Sequence, residues 1–275
     1  CIQVVQLHKM AIQTLHRLTS TQRSQRANYQ LGAYLAFVAG AVNAGGFMAI
    51  GQYTSHMTGI VSSIGDHFAL ASLLPVLGGL SMLASFVLGA VVTALLVNWG
   101  RRHKIHSEYT LPLLLEAIVL LLFGLAGAYL HLYKPLTIPT IALMLCFVMG
   151  LQNAIITKIS KAEIRTTHMT GIVTDIGIEL GRLVYWNKSI EGNQTHLVLA
   201  NRKKLKAHLL IFGMFLFGGI VGAVSFKTTG YISVIPISVS LILISSLQIY
   251  RDLKRFIKNR QTIRLMNRSV KTDEI

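Results

Sequence analysis

Six stretches of the chain carry no Asp, Glu, Lys or Arg: residues 27–65, 67–100, 117–133, 135–157, 207–226 and 228–250. A helix needs about 20 predominantly apolar residues to cross a ~30 Å hydrocarbon core. Five of the windows reach that length, and the window at 117 reaches it once Glu116 is accepted inside. Long apolar runs predict an all-α integral membrane protein, since a helix satisfies its backbone polar groups within one segment even in lipid.

Composition sharpens this picture. Hydrophobic residues make up 52% of the 275 positions and charged residues only 13%, against about 25% charged in soluble domains. The charges are lopsided: 26 Lys and Arg face 10 Asp and Glu, a formal net charge of +16. A basic chain can be a nucleic-acid binder, but a nucleic-acid reader would interleave its basic side chains with its helices. Here they fill the gaps between apolar runs, so the expected partner is the lipid bilayer and not nucleic acid. The two cysteines, Cys1 and Cys146, have no disulfide or zinc spacing. Residues 1–29 read as a basic cytoplasmic arm without a signal-peptide pattern, and residues 251–275 as a basic cytoplasmic tail.

The chain repeats itself. His56-Met-Thr-Gly-Ile-Val-Ser-Ser-Ile-Gly65 and His168-Met-Thr-Gly-Ile-Val-Thr-Asp-Ile-Gly177 agree at eight of ten positions. Upstream, Phe37, Val38, Gly40, Asn43 and Ala44 match Phe147, Val148, Gly150, Asn153 and Ala154. Downstream, Phe86-Val-Leu-Gly-Ala is similar to Phe215-Leu-Phe-Gly-Gly. Residues 30–133 therefore form a first membrane repeat. Residues 137–250 form a second, with a hydrophilic cytoplasmic insertion at 186–204. Each repeat contains four segments: about 30–51, 56–71, 76–99 and 110–132, then 137–157, 167–185, 205–226 and 231–250.

The second segment of each repeat is more polar than its neighbours. If both dip in and return, the chain has six transmembrane helices plus two short broken or re-entrant helices. Both termini then share one side, which collects 24 of the 26 basic residues. If both cross, there are eight spans with parallel repeats, and the split is 19 against 7. The positive-inside rule favours the six-span form. Three spans per repeat invert the second repeat relative to the first, an arrangement in which broken helices form a site near the midplane.

Ser55 and Thr167 are the expected N-caps of the two short helices. His168, Asp175 and Glu179 fall on one face, and their repeat mates are His56, Ser63 and His67. If the repeats face each other, these six side chains converge on a shared axis. Gly59 and Gly171, beside Thr58 and Thr170, permit close backbone approach, and two helix N-termini with Arg165 alongside suit an anion or a polar carbonyl. The plain alternatives are helix packing for the glycines, ordinary hydrogen bonding for the histidines, and solvated carboxylates paired with Arg182. Asn43 and Asn153 either bond a neighbouring helix or line the cavity. Glu116 either reaches the interface or relays protons. A metal site lacks close histidine spacing, and an enzyme lacks a nucleophile placed beside a base. The glycosylation patterns at Asn187 and Asn193 fall on the cytoplasmic side in the six-span form.

The segments Val38-Ala-Gly-Ala-Val-Asn-Ala-Gly-Gly-Phe47, Ser55-His-Met-Thr-Gly59, Gly150-Leu-Gln-Asn-Ala154 and Arg165-Thr-Thr-His-Met-Thr-Gly-Ile-Val-Thr-Asp-Ile-Gly177 resemble the YoaK-like family over about residues 30–250. The resemblance implies a multi-pass protein of the bacterial inner membrane and no particular substrate. The family commonly has Asp at the position of Asn43 and a polar residue, often Asn, at that of Ile60, so the first-half site here is less polar. Together the residues point to a membrane transporter or channel for a small polar or anionic solute, without a cofactor and open to oligomerisation. The alternative is a non-transporting scaffold or sensor acting through basic cytoplasmic surfaces.

Overall fold

The computed structural model describes residues 25–103, 108–129, 134–160, 166–185, 198–246 and 249–250. The described residues contain helices and turns but no strand. In chain order the helices are α1 (Gln25–Ile50), α2 (Met57–Ala69), α3 (Leu73–Arg102), α4 (Thr110–Tyr129), α5 (Lys134–Ile159), α6 (Met169–Val184) and α7 (Arg202–Thr229). A 3₁₀ turn (Gly230–Val234) leads into α8, residues 235–246. The basic arm up to residue 24, the 251–275 tail and most of the insertion lie outside the described residues. Arg202 to Lys204, taken from sequence as the end of that insertion, instead form the first turn of α7.

Four apolar stretches are long enough to cross a membrane: Tyr29–Ile50, Leu73–Arg102, Ile138–Ile159 and Arg202–Ser246, with Thr110–Leu125 as a shorter apolar helix. The last long stretch is not one rod. Gly230 takes φ 65° and ψ −143°, a left-handed conformation that favours glycine, and it separates α7 from the 3₁₀ turn and α8. The short helices are different in kind. At 1.5 Å per residue, α2 is about 20 Å long and α6 about 24 Å, both under the ~30 Å of the hydrocarbon core.

Helices α1 and α5 form the centre. Each is 61% buried over its apolar window, against 22% for α3 and for the Arg202–Ser246 stretch that contains α7 and α8. The outer faces of α3 and α7 present Leu74, Leu77, Leu88, Leu95, Phe217, Ile220 and Val224, side chains suited to lipid. The centre holds together through close crossings. Gly40 lies against the Phe215 carbonyl and Gly218 against the Phe37 carbonyl. Likewise Gly150 lies against the Phe86 carbonyl and Gly89 against the Phe147 carbonyl. In all four places a methyl group would collide with backbone. Absence of side chains is what lets two apolar helices touch where lipid offers no hydrophobic drive.

The contacts also fix directions. Phe37 meets Gly218, Ala41 meets Gly222 and Gly45 meets Phe226, so α1 and α7 run parallel. Ser85 Oγ donates to the Leu143 carbonyl (2.7 Å) and Thr93 Oγ1 to the Leu151 carbonyl (3.1 Å), so α3 and α5 run parallel. Gln152 Nε2 donates to the Leu35 carbonyl (3.1 Å), while Gly46, further along α1, packs on Leu145, earlier in α5. Hence α1 and α5 are antiparallel.

Candidate functional site

Each His-Met-Thr-Gly block opens a short helix, but not through the expected caps. The N-cap positions are His56 and His168, and neither makes a side-chain capping bond. The preceding residues are used otherwise. Asn43 Oδ1 accepts from the Ser55 backbone N–H at 3.1 Å, and Thr167 Oγ1 donates to Asn153 Oδ1 at 2.7 Å. The two asparagines thus hold equivalent points of the chain, drawing the start of each short helix back alongside the preceding span. Asn43 lies seven residues before the end of α1, so His56 begins α2 about 10 Å in from that end.

The glycine of each block has a local role. A Cβ on Gly59 would meet the His56 ring, and one on Gly171 would meet the His168 ring. Each histidine therefore folds back over the glycine three positions on. Thr58, His168 and Thr170 are exposed, and the Thr170 carbonyl accepts from Thr174 Oγ1 at 2.8 Å.

The two short helices do not converge. Helix α2 packs with Met57 and Ile60 against Met82, Ala142 and Cys146 of α3 and α5. Helix α6 packs through Ile172 against Ala36 and Ile211 of α1 and α7. The reason is connectivity. Helix α2 turns straight into α3 through Leu70–Ser72, where Ala71 adopts φ 51° and the Ser72 N–H returns to the His67 carbonyl at 2.9 Å. Each short helix is thus bound to the span that follows it, on its own side of the bundle. A single shared site of six polar side chains is absent.

The two faces have separate surroundings. In the first half, His56, Gly59, Ser63 and His67 line a groove of about 570 Å³. The α1–α2 connection contributes Gln52 and Tyr53 to it, α3 contributes Gly78, Gly79 and Ser81, and α5 contributes Pro139. Gly78 leaves open space there, since nothing lies within 4 Å of an added Cβ, whereas Gly79 lets the Ile64 side chain of α2 pack close against α3.

In the second half the corresponding face is occupied by the protein's own charges. Glu179 is 1% exposed. It accepts from Arg182 Nη1 at 2.9 Å and from the Asn201 backbone N–H at 2.7 Å. Asn201 in turn caps α7, its Oδ1 accepting from the Lys204 N–H at 3.1 Å. Asp175 lies 3.3 Å from Lys204 Nζ and 3.8 Å from His208 Nε2. Of the two pairings open to Arg182 by spacing, the structure has the one with Glu179. Arg165 lies outside the described residues. Sequence reasoning missed Lys204 and His208, whose partners are fixed only by the packing of α6 on α7.

Glu116 does not reach the interface. It is fully buried, and among the described residues neither carboxylate oxygen has a hydrogen-bond partner. At the α3–α4 turn the carboxylate Glu108 holds Arg101 and, through it, the Tyr109 hydroxyl. Burial, chiefly, and then the charge of Glu108 raise the Tyr109 phenol above its usual range.

Long apolar helices, glycine crossings and short polar helices tucked beside the spans define an all-helical, multi-pass membrane protein. Its family follows from sequence comparison: residues 31–247 match the family described as "Protein of unknown function (DUF1275)", and the chain belongs to that family. It is also similar to the UPF0700 transmembrane protein YoaK of Bacillus subtilis (strain 168), at 25% identity over 155 residues. That match covers 56% of this chain and 68% of the relative. No solved structure matches.

Proposed function

We propose that the chain is a transporter or channel for a small polar or anionic solute, which binds in the first-half groove. The observation that carries this reading is the groove itself: about 570 Å³ of space beside apolar spans, with His56, Ser63 and His67 along one wall. The start of α2 adds backbone N–H groups without a side-chain cap, a favourable setting for an anion or a carbonyl. Imidazole and hydroxyl groups can supply hydrogen bonds to a polar solute. The second-half face serves differently in this reading. Its carboxylates bind Lys204, Arg182 and the start of α7, and so act as a clamp rather than a solute site.

The same reading takes the molecule as two inverted repeats with six spans, both termini cytoplasmic, in a bacterial inner membrane. Supporting this are the antiparallel run of α1 and α5, the shortness of α2 and α6, and the placing of 24 of 26 basic residues on one side. A second reading has its own observation. Arg202, Lys203 and Lys206 are exposed at the start of α7, where about 1 kcal/mol per basic residue is available from an anionic membrane surface. That favours a scaffold or sensor.

The test is flux in proteoliposomes across a panel of small polar and anionic solutes. His56→Ala and Ser63→Ala each reduce flux of the transported solute, by about tenfold for a lost hydrogen bond of ~1.4 kcal/mol, whereas Asp175→Asn leaves it nearly unchanged. Equal flux in all three would sink the groove assignment. No flux for any solute would favour the scaffold.

A further inference from the structure

We propose that Glu116 is an exchangeable proton-binding site, taking a proton from water on its carboxyl and releasing it only when the seam around α4 opens. The side chain projects from α4 six residues after its start at Thr110 and is 0% exposed. Among the described residues neither oxygen has a hydrogen-bond donor. Its neighbours along the same helix face, Leu113, Ala117 and Leu120, belong to the main apolar cluster.

The groups around it supply no counter-charge. From α1, Tyr34 lies within electrostatic reach of Glu116, and its hydroxyl is 2.5 Å from Ser240 Oγ of α8. Arg101 and Tyr109, at the α3–α4 turn, are engaged with Glu108. Cys146 of α5 sits in the separate cluster with Met82. Tyr231 of the 3₁₀ turn stacks edge-on against Phe123 and Phe226. No described basic side chain forms an ion pair with Glu116.

A carboxylate sealed without a donor or cation is strongly disfavoured in its charged form. The closed seam therefore holds the acid, RCOOH. On opening, water solvates the carboxylate, the proton leaves to water as hydronium, and reclosure requires that a proton return. A carboxyl placed this way at membrane depth is of the functional kind. The proposal does not depend on the transport reading. It concerns proton occupancy alone, and it would apply equally to a sensor.

The experiment uses dicyclohexylcarbodiimide on the purified full-length protein, with adducts located by peptide mass spectrometry. The reagent is apolar and reacts with protonated carboxyls. The expected result is an adduct on Glu116 that diminishes as pH is raised and is lost in Glu116→Gln, with the ion-paired Glu108 unlabelled. Glu116→Asp retains a pH-dependent adduct. The absence of a Glu116 adduct at every pH from folded, monodisperse wild type overturns the proposal, as does labelling that ignores pH. Because the wild type decides, a Glu116→Gln protein that fails to fold does not rescue it. A Glu116 adduct with no solute flux retains the proton site and removes the transporter.

Discussion

At the scale of single residues, glycines that look alike in sequence have different surroundings. Gly40, Gly89, Gly150 and Gly218 face backbone of a neighbouring helix, which cannot step aside. Gly59 and Gly171 face histidine rings, which can rotate. Gly40→Ala or Gly218→Ala is therefore expected to cost at least ~1–3 kcal/mol, the usual range for overpacking. Gly213, in α7 with nothing within 4 Å of an added Cβ, should accept alanine with a gain of up to about 1 kcal/mol from helix propensity. Thermal unfolding in detergent would check this, and equal behaviour of Gly40 and Gly213 would refute the close-crossing account. For Gly59→Ala the expected effect falls instead on the groove: His56 is displaced and solute binding weakens while thermal stability changes little.

At the scale of elements, what holds α2 and α6 decides which polar residues are free to act. Asn43 and Asn153 were legible from the repeat as recurring amides, but two roles stayed open for them. Only the fold shows Oδ1 of each bonded to the residue before a histidine N-cap. The helix segments themselves were readable within a few residues, because charge-free runs and glycine or basic breaks are local signals. The separation of the two polar faces was not readable, since periodicity gives the face of a helix and not its neighbour. The same limit hid the fate of the carboxylates. Glu179 is buried with two charge-assisted partners, whereas Asp175 is partly exposed, its side chain 38% accessible beside Lys204. Glu179→Ala is accordingly expected to cost about 2 kcal/mol or more, from charged hydrogen bonds of 1.5–3 kcal/mol each. Asp175→Ala should cost ~1 kcal/mol or less, as exposed pairs do. Unfolding midpoints of the two variants would decide, and a larger loss at Asp175 would contradict the clamp at the start of α7.

At the scale of the whole molecule, the remaining question is how the chain threads the bilayer, and two independent lines bear on it. One is charge: the six-span path leaves Lys134 and Lys227 alone on the outer side. The other is direction: the proposed reading takes α1 and α5 as the first spans of two repeats, and Gln152 meets Leu35 while Leu145 meets Gly46, so the two run antiparallel. Equivalent spans that run in opposite senses require an odd number of crossings between their starts, which three spans supply and four do not. The prediction can be tested with single cysteines at described positions in a background lacking Cys1 and Cys146. In the six-span form, cysteines at Arg102, Lys158 and Lys203 are reached by an impermeant thiol reagent only from the cytoplasmic side, and a cysteine at Lys227 only from the opposite side. In the eight-span form, the Arg102 and Lys158 positions would instead label together with Lys227. Co-labelling of that trio would overturn the inverted arrangement and, with it, the view of α2 and α6 as helices that enter and return on opposite sides of the bundle.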